Sequence, residues 1–415
     1  MEKILVKKSG PLRGKVRISG AKNAALPILA ACLLGTEDIV LEDVPNLKDV
    51  EIMMEVLSSL GAEVEKIGLN KIKINAKNIN SYETKYQLMN KMRASFLVMG
   101  PLLARMKKTV NSLPGGCAIG ARPIDLHLKG FRALGAEITE EPGNITARAE
   151  KLKGDTLYLD FPSVGATENI MMAAVLAEGE TIIENAAMEP EIVDLASFLK
   201  KMGAKVYGAG TSSIRIVGVE SLKGTSHQII PDRIEAGTFM VAAAITGGDV
   251  LVENCIPSHM KPIIAKLIES GSQVIEYDES IRVIGKEIKP FNIKTLPYPG
   301  FPTDMQAQFM SLMTCAGGIS VTKETVFENR FMHAEELKKL GADISLTGRE
   351  AIVKGGKELI GAEVRATDLR GGAALILAGL VSQGQTSICD IFHIDRGYEN
   401  IEEKFRALGA QIERV

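Results

Sequence analysis

Cys117 stands in the segment LPGGCAIGARP, residues 113–123, with Gly115, Gly116 and Gly120 around it and Arg122 five positions later. A glycine-rich run of this kind is typical of a surface loop and gives a core cysteine no packing partners. A nearby arginine favours the thiolate and lowers the thiol pKa from its free value of about 8.5. The segment therefore predicts a reactive cysteine, although an exposed loop cysteine without a function fits the same pattern.

Polar and basic residues also recur where apolar helical segments begin. Helix N-termini carry free N–H groups and partial positive charge, so they attract phosphates and carboxylates. If these helices point at one cleft, Lys22, Arg93, Arg233 and Arg370 could bind an anion together, whereas any one of them alone is more often a solvated loop charge. The six starts are Ala21-Lys22-Asn23, Lys91-Met92-Arg93, Ser163-Val164-Gly165, Pro231-Asp232-Arg233, Thr303-Asp304-Met305 and Thr367-Asp368-Leu369-Arg370.

Asp304 has a competing structural explanation. Thr303 and Gln306 have the spacing of a capping box, and an acid in the first turn of a helix is electrostatically favourable in any protein. Spacing alone therefore predicts a structural Asp304.

Neither a metal nor an organic cofactor is expected. The histidines are dispersed without ligand spacing, and neither a dinucleotide-binding glycine motif nor a phosphate-binding P-loop follows a predicted strand. The five histidines are His127, His227, His259, His333 and His393.

The net charge, the length of the apolar stretches and the cysteines argue against several classes of protein. A net charge of −2 without a basic stripe argues against nucleic acid or an anionic membrane as the main partner. The apolar stretches, such as residues 170–177, are far shorter than the roughly 20 residues that span a bilayer. Five scattered cysteines and an N-terminus without a signal-peptide core predict a cytoplasmic protein. We expect a monomer or a weak homo-oligomer.

The elements that must position these residues repeat along the chain. A helix end followed by glycine, a small residue and an aliphatic residue occurs six times, and its glycines are 74, 68, 68, 70 and 68 residues apart: Gly61, Gly135, Gly203, Gly271, Gly341 and Gly409. The first helix of each unit is apolar nearly all round and must be buried. The sequence predicts an α/β fold of six repeats of about 70 residues, in which sheets and amphipathic helices surround buried helices.

The last repeat stops at residues 409–412 without its final strand, and the N-terminus can supply a substitute. Residues 4–7 and 14–20 resemble residues 352–354 and 361–367 in pattern. We therefore predict one domain at 21–228 and a second at 1–20 plus 229–415, a geometry suited to hinge closure over a cleft. An open solenoid is the alternative, and the buried first helices argue against it.

Motifs along the whole chain resemble the UDP-N-acetylglucosamine 1-carboxyvinyltransferases, a branch of the enolpyruvyl transferase family. They are SGAKNAALPILAACLL from Ser19, NKMRASFLVMGPLLAR from Asn90, LPGGCAIGARPIDLHLKG from Leu113, PSVGATENIM from Pro162, NAAMEPEIVDLA from Asn185, PGFPTDMQAQFM from Pro299, VFENRFMHAEEL from Val326 and ATDLRGGAALILAGL from Ala366. The family fold, two similar inside-out α/β barrel domains built from six units, agrees with the repeat.

The resemblance implies an activity and a site. The family transfers the enolpyruvyl group of phosphoenolpyruvate to the 3-hydroxyl of the sugar and releases phosphate, the first committed step of peptidoglycan synthesis and hence a requirement for cell shape and division. By motif, Cys117 is the acid that protonates phosphoenolpyruvate and the thiol alkylated by fosfomycin, and Asp304 is the base, which replaces the structural interpretation of Asp304. The catalytic set is completed by Lys22 and Arg396.

The binding positions follow by motif too. Phosphoenolpyruvate contacts are expected at Lys22, Asn23, Arg122, Arg330, Arg370 and Arg396. Nucleotide-sugar contacts are expected at Asn23, Arg93, Arg122, Pro123, Ile124, Asp125, Leu126, Ser163, Val164, Gly165, Asp304 and Val326. Phe161 stands where some relatives have lysine, so one nucleotide phosphate contact is in doubt.

Three alternatives remain open. The sister transferase that uses shikimate 3-phosphate has the same architecture, but the cysteine loop and the RPIDL segment favour the nucleotide sugar. A non-catalytic regulatory paralogue should lack the acid or the base, and Cys117 and Asp304 are both present. An RNA-end cyclase would need a catalytic histidine and a basic groove, which the sequence does not show.

Overall fold

The computed structural model of the chain describes residues 2–84, 86–89, 92–112 and 124–415. The strands are, in chain order, β1 (Ile4–Lys7), β2 (Arg13–Arg17), β3 (Ile39–Glu42), β4 (Glu63–Gly68), β5 (Lys71–Asn75), β6 (Lys108–Ser112), β7 (Glu137–Glu141), β8 (Asn144–Arg148), β9 (Thr156–Tyr158), β10 (Glu180–Glu184), β11 (Lys205–Tyr207), β12 (Ser213–Val217), β13 (Ser226–Gln228), β14 (Asp249–Glu253), β15 (Gln273–Glu276), β16 (Ser280–Ile284), β17 (Ile293–Lys294), β18 (Ile319–Lys323), β19 (Asp343–Thr347), β20 (Glu350–Lys354), β21 (Glu363–Arg365), β22 (Gln385–Cys389) and β23 (Gln411–Arg414).

The α-helices are α1 (Lys22–Ala31), α2 (Lys48–Ser59), α3 (Tyr86–Met89), α4 (Met99–Met106), α5 (Asp125–Ala133), α6 (Val164–Ala174), α7 (Pro190–Lys201), α8 (Arg233–Ile245), α9 (Lys261–Glu269), α10 (Gln306–Thr314), α11 (Met332–Lys339), α12 (Leu369–Gly379) and α13 (Ile401–Ala407). Short 3₁₀ segments cover Cys32–Leu34, Arg93–Val98, Pro257–Met260, Thr303–Met305 and Ile391–Arg396. Within the described residues, none of the helices combines the length and apolarity that crossing a bilayer requires.

The described residues form two compact units, each with its own hydrophobic core. The N-terminal unit comprises residues 20–230 of the described chain, and the C-terminal unit comprises residues 2–19 and 231–415. Core residues from Ala21 to Ile229 pack together in the first unit. A separate core runs from Ile4 to Ile18 and from Ile234 to Ile412 in the second. The chain is therefore a two-domain α/β protein.

Both units are built from small sheets that share one pairing scheme. Five sheets have four strands, for example β9-β10-β12-β11, in which the first pair is parallel and the other two pairs are antiparallel. The sixth, β6-β8-β7, has three strands, and an isolated parallel bridge from Glu83 to Val110 takes the place of its edge strand. Among the described residues no sheet closes on itself, and the two-domain α/β class is confirmed.

A buried helix connects the parallel strands in three of the sheets. Helix α6 lies between β9 and β10, α10 between β17 and β18, and α12 between β21 and β22. Every residue of α6 from Ala166 to Ala174 is buried, as is every residue of α8 after Arg233. Helices that are apolar on nearly all sides find few favourable contacts with water, and this places them inside, while α2, α7 and α9 present one polar face outward.

The N-terminal strands complete sheets of the C-terminal unit, as the missing final strand predicts. Strand β1 lies between β22 and β23 and pairs antiparallel with both, with Val6 opposite Thr386 on one side and Ile412 on the other. Strand β2 forms the parallel edge beside β14. A terminus held by two ladders is fixed in register, so the segment that leads into α1 starts from a rigid position.

Candidate active site

Three of the buried helices begin after a residue whose side chain accepts hydrogen bonds from their first backbone N–H groups. In the C-terminal unit, Asp232 accepts hydrogen bonds from the backbone N–H groups of Ile234 and Glu235 at the start of α8. Asp368 does the same for Arg370 and Gly371 at the start of α12. In the N-terminal unit, the hydroxyl of Ser163 accepts from Ala166 at 3.4 Å. Two of the predicted helix starts are thus capped by aspartates, which are favoured at this position.

Asp304 lies between two arginines of the C-terminal unit. Its Oδ1 accepts a hydrogen bond from Arg330 Nη2 at 2.8 Å, and its Oδ2 accepts from Arg370 Nη2 at 3.2 Å and Nε at 3.3 Å. The side chain of Asp304 is 26% exposed, whereas those of Arg330 and Arg370 are 6% and 3% exposed. The two buried guanidinium groups fix the orientation of a carboxylate that solvent still reaches.

Arg370 has bonding capacity left over. Its Nη1 is buried and has no hydrogen-bond partner among the described residues. Its guanidinium carbon lies 5.4 Å from the centre of the Tyr398 ring, and the Tyr398 hydroxyl is 3.0 Å from Thr238 Oγ1. An arginine can bind a carboxylate or phosphate through several N–H groups, and the contact with Asp304 leaves Nη1 of Arg370 unused.

The capping-box interpretation of Thr303 and Gln306 is wrong. Pro302 precedes the 3₁₀ turn Thr303–Met305 and gives it no side-chain cap, and both polar side-chain atoms of Gln306 lack a partner among the described residues. The hydroxyl of Thr303 instead donates to Glu324 at 2.9 Å. Glu324 was missed by the sequence analysis, and its only signal is an acid that directly follows an alternating strand.

His333 adds no positive charge to this cluster at neutral pH. Burial lowers the pKa of His333 to about 4, with a contribution from Arg330, although Asp368 opposes it. Its Nε2 lies 3.3 Å from the sulfur of Met310. The described residues contain no group of three or more His, Cys, Asp or Glu side chains arranged to hold a metal ion.

Lys22 occupies the start of α1 in the N-terminal unit. Its Nζ is 2.7 Å from the carboxylate of Asp49 in the first turn of α2, and their side chains are 11% and 2% exposed. Asn23, the next residue of α1, is half-buried. The Lys22 ammonium is thus buried and paired with a carboxylate, and Asp49 was not among the predicted site residues.

The other predicted nucleotide-sugar positions of this unit lie at the starts of α5 and α6. Ile124 and Leu126 are half-buried and Asp125 is exposed. Val164 and Gly165 are half-buried, and a Cβ on Gly165 would lie 3.3 Å from the His127 ring. Buried Asn169 fixes that ring, because its Nδ2 is 3.1 Å from His127 Nδ1 and its Oδ1 accepts from Gly100.

The remaining predicted positions of the C-terminal unit are half-buried. Arg396 ends the 3₁₀ segment Ile391–Arg396, and Val326 follows β18 by three residues. Arg233 begins α8 with its guanidinium 5.6 Å from the Tyr298 ring. The structure brings Asp304, Arg330 and Arg370 into contact within this unit.

Some predicted residues lie outside the part of the chain that the structure describes. They are Cys117, Arg122 and Pro123, together with the side chain of Arg93. Three of the other cysteines are poor nucleophiles: burial raises the pKa of Cys32 and Cys315 and raises that of Cys255 to about 12. Phe161, which replaces the expected lysine, is 43% exposed.

Comparison with known proteins identifies similar chains of full length. The family model for EPSP synthase (3-phosphoshikimate 1-carboxyvinyltransferase) matches residues 6–405. The UDP-N-acetylglucosamine 1-carboxyvinyltransferase of Finegoldia magna is 64% identical over 100% of this chain and 99% of its own. The UDP-N-acetylglucosamine 1-carboxyvinyltransferase 2 of Clostridium tetani is 56% identical over all of both chains.

Solved structures of lower identity share the fold. The enolpyruvyl transferase NikO from Streptomyces tendae superposes with a TM-score of 0.90 at 23% identity, over 100% of this chain and 99% of that one. EPSP synthase from Acinetobacter baumannii gives 0.78 at 21% identity, over 100% of both chains. At such identities the likeness establishes architecture and leaves the substrate to other evidence.

Proposed function

The chain belongs to the EPSP synthase family of enolpyruvyl transferases, and on this premise we propose that it transfers the enolpyruvyl group of phosphoenolpyruvate to the 3-hydroxyl of UDP-N-acetylglucosamine. Phosphate is released, and the product is the first committed intermediate of peptidoglycan synthesis. The acceptor is assigned from relatives of 56–64% identity over the whole chain that carry this activity in their names.

Asp304 between Arg330 and Arg370 is the observation that carries the proposal for the site. A proton acceptor and two anion-binding groups are held together, and one guanidinium nitrogen of Arg370 is unpaired among the described residues. Phosphoenolpyruvate carries a carboxylate and a phosphate that need such groups. We assign Asp304 as the base for the sugar hydroxyl, and Arg330, Arg370 and Arg396 as phosphoenolpyruvate ligands.

The N-terminal unit supplies the other proposed contacts. Lys22 and Asn23 at the start of α1 bind phosphoenolpyruvate, and Asn23 also contacts the sugar nucleotide. The nucleotide sugar is contacted further by residues 124–126 and 163–165 of this unit and by Val326 of the C-terminal unit. The buried ammonium of Lys22 and the free N–H groups at the starts of α1 and α6 support these assignments.

The reaction proceeds by addition and elimination. The sugar oxygen bonds to C2 of phosphoenolpyruvate while Asp304 takes its proton, and Cys117 protonates C3. The resulting tetrahedral ketal loses a C3 proton and expels phosphate, which restores the enol ether. Positioned acids and bases each contribute about 10²- to 10⁴-fold to such steps. Arg122, Arg93 and Pro123 complete the proposed binding set.

The repeat architecture, the cellular compartment and the oligomeric state are proposed as well. We propose six repeats of about 70 residues, two domains joined near residues 20 and 229, and a cytoplasmic enzyme that is a monomer or a weak homo-oligomer. The shared strand order of the sheets and the regular glycine spacing support the repeats. Scattered cysteines support a reducing compartment.

The decisive experiment is phosphate release from phosphoenolpyruvate by the purified chain with UDP-N-acetylglucosamine as acceptor. Shikimate 3-phosphate serves as the parallel acceptor, since the matched family model bears its name. Release only with the nucleotide sugar is the expected result. Release only with shikimate 3-phosphate would reassign the acceptor, and silence with both from a folded protein would favour a regulatory sugar-binding role.

A further inference from the structure

Glu324 is a buried carboxylate that directly follows β18 and is 1% exposed. Its Oε1 accepts hydrogen bonds from the Thr295 hydroxyl at 2.8 Å and from the backbone N–H groups of Val326 and Phe327 at 2.8 and 3.1 Å. Its Oε2 accepts from the Thr303 hydroxyl at 2.9 Å. A buried carboxylate is costly unless its oxygens are satisfied, and here four donors converge on it.

Oε2 of Glu324 is connected to Asp304 through the Thr303 hydroxyl and Arg330. Thr303 begins the 3₁₀ turn that carries Asp304, and its Oγ1 also accepts a hydrogen bond from Arg330 Nη1 at 3.3 Å. The same guanidinium donates to Asp304 through Nη2 at 2.8 Å. Glu324 therefore orients the Thr303 hydroxyl so that its lone pairs face Arg330.

The Oε1 side leads to Val326. The two backbone N–H groups that donate to Oε1 are those of Val326 and Phe327, which belong to one turn. The Phe327 ring of that turn lies 5.2 Å from the Arg330 guanidinium carbon. The Thr295 hydroxyl is fixed in turn by accepting from the backbone N–H of Thr325 at 2.9 Å. One carboxylate thus holds two segments that are separate in sequence.

We propose that Glu324 is a positioning residue for the transfer reaction, aligning the base Asp304 through Thr303 and Arg330 and aligning the sugar contact Val326 through the backbone. This inference rests on the proposed function, because it assumes the roles assigned there to Asp304 and Val326. Only an acceptor group serves all four donors: a glutamine offers one acceptor oxygen and an amide that donates. Small misplacements of the reacting groups lower the reaction rate strongly. Loss of the Glu324 carboxylate should therefore lower kcat, although the proposal gives Glu324 no contact with the substrates.

The test separates the two sides of the carboxylate. Thr303→Val keeps the shape and removes the hydroxyl, so we expect kcat to fall about 10- to 100-fold with both KM values changed by less than about 5-fold. Thr303→Ser retains the hydroxyl and should restore kcat. Glu324→Gln should lower kcat similarly and, because the Val326 turn is also released, raise KM for UDP-N-acetylglucosamine and leave KM for phosphoenolpyruvate unchanged.

The double variant Thr303→Val/Glu324→Gln gives a stricter test of the link between the two residues. If both residues act through one link, Thr303→Val added to Glu324→Gln should change kcat by no more than about 2-fold. Glu336→Gln is the matched control, since Glu336 is also largely buried in this unit and accepts from Lys339 and from the backbone of Arg365. We expect it to leave kcat at the wild-type value.

The outcomes distinguish this inference from the proposed function. Multiplicative effects, an unchanged kcat in Thr303→Val or a failure of Thr303→Ser to restore it would overturn the positioning role while wild-type turnover stands. A wild-type chain inactive with UDP-N-acetylglucosamine would overturn the proposed function and this inference with it. If Glu324→Gln does not fold, the Thr303 pair decides alone.

Discussion

Arg330 donates a hydrogen bond from Nη2 to Oδ1 of Asp304 at 2.8 Å, and the arginine is almost fully buried. The two residues are 26 positions apart, and Arg330 lies in the loop before α11, so their contact depends on the packing of the C-terminal unit. The pair therefore gives the Asp304 carboxylate a fixed orientation.

Asp304→Asn should lower kcat by about 10²- to 10⁴-fold, the contribution typical of a positioned base. The amide keeps the shape of the side chain but cannot take the sugar proton. Phosphate release with UDP-N-acetylglucosamine measures the loss, and calorimetric titration checks that the nucleotide sugar still binds. Asp343→Asn is the control, because Asp343 forms an exposed ion pair with Lys357 in the same unit. Wild-type turnover in Asp304→Asn would remove Asp304 from the mechanism.

Lys22→Met should raise KM for phosphoenolpyruvate about 10- to 100-fold, since a hydrogen bond to a charged group contributes about 1.5–3 kcal/mol. KM for the nucleotide sugar should change much less. Steady-state kinetics with each substrate varied in turn measures the difference. Lys48→Met is a suitable control because Lys48 forms an exposed ion pair with Glu51. Equal effects on both KM values would show that Lys22 has no specific role towards phosphoenolpyruvate.

Much of the architecture could be predicted from the sequence because it depends on patterns within short segments. The incomplete last repeat predicts that residues 4–7 supply a strand, and β1 lies between β22 and β23. The first helices that the sequence predicts to be buried include α6 and α8, which are buried over nearly their whole length. Hydrophobic periodicity and terminating glycines carry this information.

The details of the site could not be predicted in the same way. The spacing of Thr303 and Gln306 suggests a cap, but the Thr303 hydroxyl bonds to Glu324, 21 residues away. The partner of Lys22 is Asp49 in the following helix, and an acid there is equally expected from the helix dipole alone. Such contacts depend on how separate elements pack, which local spacing does not record.

Arg105→Met should destabilise the N-terminal unit. The Arg105 guanidinium donates to the backbone carbonyls of Leu33, Gly35 and Ala76 at 2.8, 2.9 and 2.5 Å and to that of Lys77 at 3.1 Å. Methionine leaves these acceptors without a donor, so we expect a loss of about 2–4 kcal/mol and a Tm lower by about 5–15 °C.

Scanning calorimetry measures the Arg105 effect, and Arg132→Met provides the comparison. Arg132 forms an exposed ion pair with Glu140 at 3.0 Å, and such pairs contribute little. A similar Tm for the two variants would mean that the carbonyl contacts of Arg105 do not stabilise the fold.

Glu168→Gln should change how stability depends on pH. Burial, assisted by the charges of Glu191 and Glu189, raises the pKa of Glu168 well above 4.5. The folded state then binds the proton more tightly than the unfolded chain, so this contribution to stability is complete below about pH 4.5 and is lost as pH rises through the folded pKa. Glutamine is neutral throughout, and the Tm of the variant should rise relative to wild type above pH 4.5.

Glu178→Gln tests the sign of that prediction. The hydrogen bond and charge of Lys151 lower the pKa of the exposed Glu178 carboxyl. Its contribution is present above the unfolded pKa and lost as pH falls, so the Tm of this variant relative to wild type should fall slightly with rising pH. If the Tm of both variants relative to wild type changed with pH in the same direction, Glu168 would not be a buried carboxyl that stays protonated in the folded state.

Fosfomycin should alkylate Cys117 in preference to the buried cysteines. An epoxide is opened by a thiolate, and burial raises the pKa of Cys32, Cys255 and Cys315, which leaves little thiolate there at neutral pH. Peptide mass spectrometry after treatment locates the adduct. Modification of Cys32 or Cys255 with Cys117 untouched would reject the assignment.

Cys117→Asp separates proton donation by residue 117 from the chemistry of its thiol. A carboxylic acid can protonate C3 of phosphoenolpyruvate but cannot be labelled as a thiol, so we expect measurable turnover that fosfomycin no longer stops. Cys117→Ala, which offers no proton, should lose turnover in the same phosphate-release assay. Should Cys117→Ala turn over as fast as Cys117→Asp, the proton must come from another group, and the thiol would be a site of inhibition alone.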